Sequence, residues 1–245
     1  MKDKDMATSG VAAVDRALRI LDAFRPEDRS LTLTEISRRV DYYKSTTLRL
    51  AESLEKFGYL KRGEDGSYRI GYKPALLGSM YQRHFRSADV VLPVLRSLVD
   101  EWNEGASFFV REDDQRVCLH RVESGRAVRD TVREGDALAV GVGASGAVLM
   151  AFAGLPGEKY EKVRRELFAA SFGERDPETA AYACPVFGER QRLVGAITLS
   201  GPRHRLQEMP LDAVRVSLTR AAAGLTTQFG GDASVFAESL LVQAA

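Results

Sequence analysis

The sequence predicts an α+β protein of two modules: a small helical module with a hairpin, then an antiparallel sheet flanked by helices. Three observations support this. Between Leu33 and Arg69, two short amphipathic segments separated by a four-residue break lead into a hairpin. After residue 106, strand-like runs alternate with turn signals, and helical periodicities lie before, between and after them. Positive charge is concentrated in the first third of the 245 residues.

The first amphipathic segment has a well-marked start. Thr32 followed by Glu35 is a capping box, in which hydroxyl and carboxylate each satisfy a backbone donor at the helix end. Ile36 and Val40 recur at helical spacing and give the helix one apolar side. We therefore expect a helix ending near Val40, followed by a break over residues 41–44.

A second helix is predicted to begin at Ser45 and to continue to about Phe57. Its buried stripe has the spacing i, i+3, i+4, i+7 and comprises Thr47, Leu50, Ala51 and Leu54. The segment YLKRGEDGSYRIG then reads as two strands around a turn at residues 64–66. Helix, turn, helix and basic hairpin, in this order, predict a winged helix-turn-helix.

The polar start of the second helix carries the groups that meet phosphates and base edges in a major groove. The predicted DNA-contacting residues are Lys44, Ser45, Thr46, Thr47, Leu48 and Arg49 at the start of the helix and Lys61, Arg62 and Arg69 in the hairpin. The hairpin cations are expected to reach backbone phosphates or the minor groove. The alternative interpretation is a small helical bundle with a solvated, charged face.

Charge is divided unevenly along the chain. Residues 1–86 hold 17 Lys and Arg against 12 Asp and Glu, a net charge of +5, whereas residues 87–245 hold 18 against 22, a net charge of −4. This division predicts that polyanion binding is confined to the first module, with double-stranded DNA as the partner.

The predicted organisation has five parts. They are a disordered segment at 1–10, the winged helix-turn-helix at 11–72, a linker helix at 73–88, a second domain at 89–230, and a tail or short helix at 231–245. The first helix of the DNA module is expected to complete that module's core through Val14, Leu18, Leu21 and Phe24. The linker helix either separates the two heads of a dimer or packs on its own domain.

The second domain opens with a helix, ADVVLPVLRSLVDEWN, which we expect Pro93 to interrupt. SFFVRED and QRVCLHRV form a hairpin, AVRDTVREG is predicted as a third strand, and AYACPVF and RLVGAITLSGP form a further pair. Helices are predicted in GEKYEKVRRELFAA and DAVRVSLTRAAAGLTTQF.

The glycine run at residues 141–146 admits several interpretations. Its GxGxxG spacing lacks the long helix and second strand of a dinucleotide site, and GASGA lacks the second glycine of a nucleophile elbow. The interpretation we favour is an anion seat at a helix N-terminus, suited to a small organic carboxylate. Its predicted lining is Phe108, Val110, Leu119, Val140, Gly143, Ala144, Ser145, Gly146, Thr198 and Ser200. The alternative is a tight strand-to-helix turn without a ligand.

Other candidate chemistry is sparse. Cys118 and Cys184 lie in apolar runs without metal-type spacing and are expected to be packed thiols. The histidines share no motif, and His120 lies within a predicted strand. We therefore expect no catalytic residues, no metal and no cofactor. No apolar run approaches the roughly 20 residues needed to cross a bilayer, so we expect a cytoplasmic protein with no membrane partner.

From about Val11 to Phe229, the chain resembles the IclR family of bacterial transcriptional regulators. The resemblance rests on LTLTEISRRV, KSTTLRLAESLEKFGYL and SYRIGYK in the first module, and on LPVLRSLVDEW, LHRVES, GASGAVL, RDPETAAYACPVF and LVGAITLSGP in the second. Asp41 departs from the glycine usual at that turn, and Leu48 replaces a position that is often polar.

The resemblance implies a GAF-like (profilin-like) effector-binding domain and a homo-oligomer, either a dimer or a dimer of dimers, at promoter DNA. It also implies repression or activation of a catabolic operon in response to a small organic effector, a carboxylate or an aromatic compound. Ala181 falls where the family lines its ligand pocket. We therefore predict a ligand-responsive transcriptional regulator, with a ligand-binding module or a small-molecule enzyme as the alternative.

Overall fold

The computed structural model describes residues 10–85, 87–237 and 239, with side chains described outside 82–86. The chain divides into two compact units between Tyr81 and Gln82. Residues 1–9 of the predicted disordered segment, and 238 and 240–245 of the predicted tail, lie outside the described residues. The helices are α1 Ala12–Asp22, α2 Leu33–Val40, α3 Lys44–Lys56, α4 Lys73–Phe85, α5 Ala88–Trp102, α6 Gly143–Phe152, α7 Glu158–Glu166, α8 Arg203–Glu208 and α9 Leu211–Gln228. The strands are β1 Leu60–Arg62, β2 Tyr68–Ile70, β3 Gly105–Glu112, β4 Gln115–Val122, β5 Ala137–Ala139, β6 Ala169–Phe172, β7 Thr179–Phe187 and β8 Leu193–Pro202.

The first unit is a winged helix-turn-helix. The predicted capping box at α2 is present, because Glu35 N–H donates to Thr32 Oγ1 at 3.3 Å and Thr32 N–H donates to the Glu35 carboxylate at 2.8 Å. Helix α2 ends at Asp41, whose φ of 55° lies in the left-handed region. The wing is the β1–β2 hairpin, to which Leu31 adds a bridge at Tyr68.

Helix α1 packs differently from the prediction. Ile20 is fully buried, and Ala17, Leu21 and Phe24 pack against the core of this unit. Val14 and Leu18 are instead 53% and 51% exposed. The apolar stripe of α1 is therefore wider than the core it covers, and half of it faces outward.

The second unit is built on a six-stranded antiparallel sheet in the order β5-β4-β3-β8-β7-β6. Helices α5 and α9 cover one face, and α6 and α7 cover the other. Helix α5 continues through Pro93 without the predicted interruption. Strand β6 and helix α8 were not predicted, and a 3-10 turn at Ala233–Phe236 places Phe236 in the core.

The predicted third strand at 127–135 is wrong. This segment has no regular secondary structure, and the short strand β5 at Ala137–Ala139 pairs with β4 instead. Contacts to side chains hold the segment, because the Arg121 guanidinium donates to the Asp130 carbonyl at 3.2 Å. It consequently lies beside the sheet as a loop and contributes Asp130 and Val132 to the cleft described below.

Candidate functional site

The N-terminal turn of α3 exposes a polar surface on the first unit. Lys44, Ser45 and Arg49 are exposed, whereas Thr46 and Leu48 are half-buried. No side chain caps the helix at Tyr43, so its first backbone amides are available to an anion. Thr47 does not belong to this surface. It is fully buried, and its hydroxyl donates to the Tyr43 carbonyl at 3.2 Å, as expected for the core-facing position of the helix.

The wing adds two cations on one face. Lys61 lies directly opposite Arg69 in the β1–β2 register, and both are exposed. Like charges in this arrangement repel, and a bound phosphate would relieve the repulsion. Arg62 lies on the other face, with its guanidinium 5.6 Å from the centre of the Tyr68 ring. Arg62 thus packs against the wing as well as carrying charge.

A cleft lies on the α6 side of the sheet in the second unit. Its cavity volume is about 40 Å³, and part of it is open to solvent. Its lining comes from the sheet, from the start of α6, from the 127–135 loop and from the segment between β6 and β7: Phe109, Arg116, Asp130, Val132, Gly143, Ala144, Ser145, Ser171, Arg175, Thr179, Ala180, Ala181, Thr198 and Ser200.

Three predicted lining residues lie elsewhere. Phe108, Val110 and Leu119 belong to the core that the sheet forms with α5 and α9, on the opposite face. Successive residues of a strand point to opposite faces, so Phe109 reaches the cleft and Phe108 does not. Val140 and Gly146 lie behind the cleft: a Cβ on Gly146 would be 2.1 Å from the Val140 carbonyl oxygen, so only glycine permits this approach.

The start of α6 is the predicted anion seat. Gly143 has a φ of +81°, and Val142 provides no side-chain cap. Gly143 N–H donates to the Glu174 carboxylate at 3.1 Å. The amides of Ala144 and Ser145 have no acceptor among the residues that the structure describes. The seat therefore already holds one carboxylate of the chain itself and retains two free donors.

Arg116 is the principal charge in the cleft. Arg116 is 4% exposed. Its guanidinium donates hydrogen bonds to the Val142 carbonyl and, at 3.2 Å, to the Ala139 carbonyl. The guanidinium lies 5.4 Å from the centre of the Phe109 ring. Burial, together with the nearby Arg175 cation, lowers the pKa of Arg116 from 12.5 to about 10. Arg116 is still charged at neutral pH. The Asp130 and Glu174 carboxylates favour its charged form, but no carboxylate of the described residues is in direct contact with it, and its Nε has no hydrogen bond.

The other charges of the cleft are paired. Asp130 contacts Arg175 at 2.5 Å, and Arg121 Nε lies 3.0 Å from Glu123. Burial alone would raise the pKa of Asp130, but its pairing with Arg175 and its hydrogen bond from Ser200 lower the pKa below the ordinary value. The guanidinium of Arg121 also donates to Ser107 Oγ at 2.8 Å.

Thr198 presents a further unsatisfied group to the cleft. Thr198 is 2% exposed, and its hydroxyl has no hydrogen-bond partner among the described residues. Buried hydroxyls usually have a partner, because an unpaired one loses its hydration without compensation. The cleft therefore offers two buried polar atoms, Thr198 Oγ1 and Arg116 Nε, to a ligand.

Of the predicted lining, Gly143, Ala144, Ser145, Ala181, Thr198 and Ser200 lie at the cleft, whereas its charged residues were not predicted. Arg116 occupies a strand position that reads as exposed, and Asp130 lies in a segment that was predicted as a strand. Arg175, in the turn between β6 and β7, lines the cleft, whereas the exposed Asp176 beside it does not. Arg116 lies two residues before the buried Cys118 on β4, so both side chains are on the same face of the sheet. This alternation is the sequence feature that indicates burial of Arg116.

The remaining candidates have structural surroundings. Both cysteines are free and buried, and burial raises the pKa of each thiol to about 12. Buried His120 hydrogen-bonds Ser87 through Nε2 at 2.7 Å. No cluster of three metal-ligating side chains occurs among the described residues, and no helix there is long and apolar enough to cross a membrane.

Comparison with protein families gives two matches. A model described as the IclR helix-turn-helix domain matches residues 13–64, and one described as the bacterial transcriptional regulator IclR C-terminal matches residues 157–227. The transcriptional repressor IclR of Escherichia coli K12 is 25% identical, with 92% of each chain covered. The regulator XynR of the same strain is also 25% identical, with 90% of this chain and 98% of XynR covered.

Solved structures share the fold. An IclR homolog from Microbacterium hydrocarbonoxydans, complexed with 4-hydroxybenzoate, superposes with a TM-score of 0.73 at 24% identity and covers 89% of this chain and 99% of its own. The Thermotoga maritima IclR gives a TM-score of 0.72 at 19% identity, covering 89% and 98%. These relatives are transcriptional regulators, and each of the two matched regions lies within one of the two units described above. The chain belongs to the IclR family of bacterial transcriptional regulators.

Proposed function

We propose that this regulator binds promoter DNA through α3 and the wing, and that a small organic anion in the cleft of the second unit modulates this binding. Arg116 is the observation that carries the choice of an anion. A buried cation without a counter-charge is costly, and a bound carboxylate would neutralise it. Asp130 is already paired with Arg175, and Glu123 is shared by Arg121 and Arg129, so none of these carboxylates is free to pair with Arg116, which favours an anionic ligand.

The surroundings of Arg116 support an aromatic or other flat effector. Phe109 lines this small cleft beside Arg116, so a ring that widens the cleft would contact Phe109 while its carboxylate meets Arg116 and the free α6 amides. Thr198 Oγ1 offers a further hydrogen bond. The Microbacterium homolog complexed with 4-hydroxybenzoate makes that compound a reasonable first probe.

We also propose that the protein acts as a homo-oligomer whose first units associate. Apolar side chains on α1 and α4 and at the ends of α1 and α3 are exposed within this unit, and they comprise Val11, Val14, Leu18, Phe57, Leu76, Leu77 and Met80. Exposed apolar surface of this extent is typical of an interface, and a helix-turn-helix reads paired half-sites as a dimer. A second copy of the chain is the partner that meets both requirements.

Regulation requires unequal affinity of the effector for the DNA-bound and free forms. The test is fluorescence anisotropy on the upstream intergenic duplex, against a scrambled duplex, across a salt series. Preference for the native duplex, with affinity falling as salt rises, is expected.

Benzoate and 4-hydroxybenzoate, each compared with its neutral amide, then test the effector class. A response to the amide alone, or equal binding to both duplexes, would contradict the proposal.

A further inference from the structure

The turn between β6 and β7 places a carboxylate where an effector carboxylate is expected. Glu174, in the segment 173–178, accepts a hydrogen bond from Gly143 N–H at 3.1 Å. The same oxygen lies 3.1 Å from Lys159 Nζ at the start of α7. This side chain, 38% exposed, is therefore held at the end of α6 by one amide and one cation, both distant from it in sequence.

The polar groups at the start of α6 and those deeper in the cleft differ in whether they have hydrogen-bond partners. Val142 leaves α6 without a side-chain cap of its own, so Glu174 serves as that cap from 31 residues away. Farther in, Arg116 Nε and Thr198 Oγ1 remain unpaired although both residues are more than nine-tenths buried. An entering carboxylate would reach these inner groups and would compete with Glu174 for the outer amide.

The neighbouring residue holds the turn in place. Arg175 pairs with Asp130 at 2.5 Å on the cleft wall, and the Asp176 carboxylate accepts from Glu178 N–H at 2.9 Å. These contacts do not depend on Glu174. The Glu174 side chain can therefore leave the Gly143 amide by rotating toward solvent while the turn keeps its backbone.

We propose that Glu174 is an internal competitor for the effector carboxylate and sets the affinity of the cleft. This inference rests on the proposed function, since it assumes an anionic ligand. In the absence of effector, Glu174 caps α6, and in its presence the effector carboxylate takes the Gly143 amide while Glu174 keeps Lys159 or turns to solvent. If Glu174 occupies the seat about nine-tenths of the time, removing it raises the apparent affinity about tenfold.

The experiment uses acetate, the smallest probe of a carboxylate seat, on the full-length protein. Labelling valine carbonyls with ¹³C and glycine amides with ¹⁵N selects three peptide units: Val140–Gly141, Val142–Gly143 and Val194–Gly195. The Gly143 signal reports the seat, and Gly195, buried in β8, is an internal reference. The variants are Glu174→Ala and the matched control Glu178→Ala, which removes an exposed carboxylate from the same turn.

We expect acetate to shift the Gly143 amide at about tenfold lower concentration in Glu174→Ala than in the parent or in Glu178→Ala. Equal acetate affinity in all three proteins would overturn the competitor role while leaving the anionic cleft intact. An equal gain in both variants would show a general charge effect and would also overturn it. If acetate does not shift the Gly143 signal in any of the three proteins, the start of α6 does not bind carboxylates and the competitor role is refuted. A response to neutral amides in the anisotropy assay would, in addition, refute the proposed function.

Discussion

At the residue scale, function depends on a few side chains whose surroundings differ from what their sequence neighbours suggest. Arg116 is a cation on a strand, yet it is buried, stacked on Phe109 and without a carboxylate partner among the described residues. Arg49, by contrast, is exposed on the second turn of α3, where a groove-reading helix presents its side chains to bases. Replacing Arg116 should change the response to effector, and replacing Arg49 should change DNA binding, so the two roles can be tested separately.

Replacing Arg116 tests the effector site. Arg116→Gln keeps a polar group but removes the charge, so the response to benzoate-type effectors should fall at least about tenfold, corresponding to a loss of roughly 1.5–3 kcal/mol for a charged hydrogen bond. Operator affinity without effector should stay within about twofold. Calorimetric titration with effector and anisotropy with DNA measure the two quantities. Undiminished effector affinity in Arg116→Gln would exclude it as the anion partner.

Replacing cations in the first unit tests how DNA is read. Arg49→Ala should weaken operator binding by about 1–3 kcal/mol and reduce the preference over a scrambled duplex. Lys61→Ala should weaken binding to both duplexes similarly and lower the salt dependence by about one phosphate contact. Anisotropy across a salt series measures both effects, and operator affinity in Arg49→Ala equal to that of the parent would refute the role of α3.

At the element scale, helix ends are decisive. Helix α2 ends at Asp41, which has the left-handed conformation. A residue with a side chain adopts this conformation at some energetic cost, whereas glycine adopts it without that cost. The start of α6 shows the converse. There glycine is needed at residue 146, because the Val140 carbonyl occupies the space of a side chain, and a carboxylate from another segment completes the cap.

Asp41→Gly should stabilise the first unit. Relief of left-handed strain exceeds the added entropy of the unfolded chain, and we expect a gain of about 0.5 kcal/mol in the free energy of unfolding. Asp41→Ala, which keeps the strain, is the matched control and should give no gain. Thermal and urea unfolding followed by circular dichroism measure the difference. A gain in Asp41→Ala equal to that in Asp41→Gly would show that removal of the charge is responsible.

At the scale of the whole molecule, the two units have separate cores and separate surfaces. The N-terminal third of the chain carries the net positive charge, and the first unit exposes apolar side chains on α1 and α4, whereas the second unit carries the cleft. This division suits a regulator in which one unit reads DNA and the other senses an effector. Association through the apolar face is the property that the sequence alone leaves most open.

Leu18→Glu tests that association. Leu18 is 51% exposed on α1, so a charge there should be tolerated by the fold but should disfavour an apolar interface. We expect a lower oligomeric state by light scattering and an operator affinity reduced about tenfold or more, because the half-sites are no longer bound together. Val128→Glu, at a residue that is 66% exposed in the second unit, is the control. An unchanged mass for Leu18→Glu would exclude this face.

The sequence by itself determined the α+β class, the order of nearly all helices and strands, the capping box at Thr32 and the position of the glycine turn, because caps, periodicities and turn residues act over a few neighbours. Only the tertiary structure decided which face of each strand meets the cleft, since a shift of one residue exchanges Phe108 for Phe109. It also decided the pairing of Asp130 with Arg175, the isolation of Arg116 and the seating of Glu174 on Gly143. These contacts join residues far apart in the chain, and no local pattern encodes which distant charges will meet.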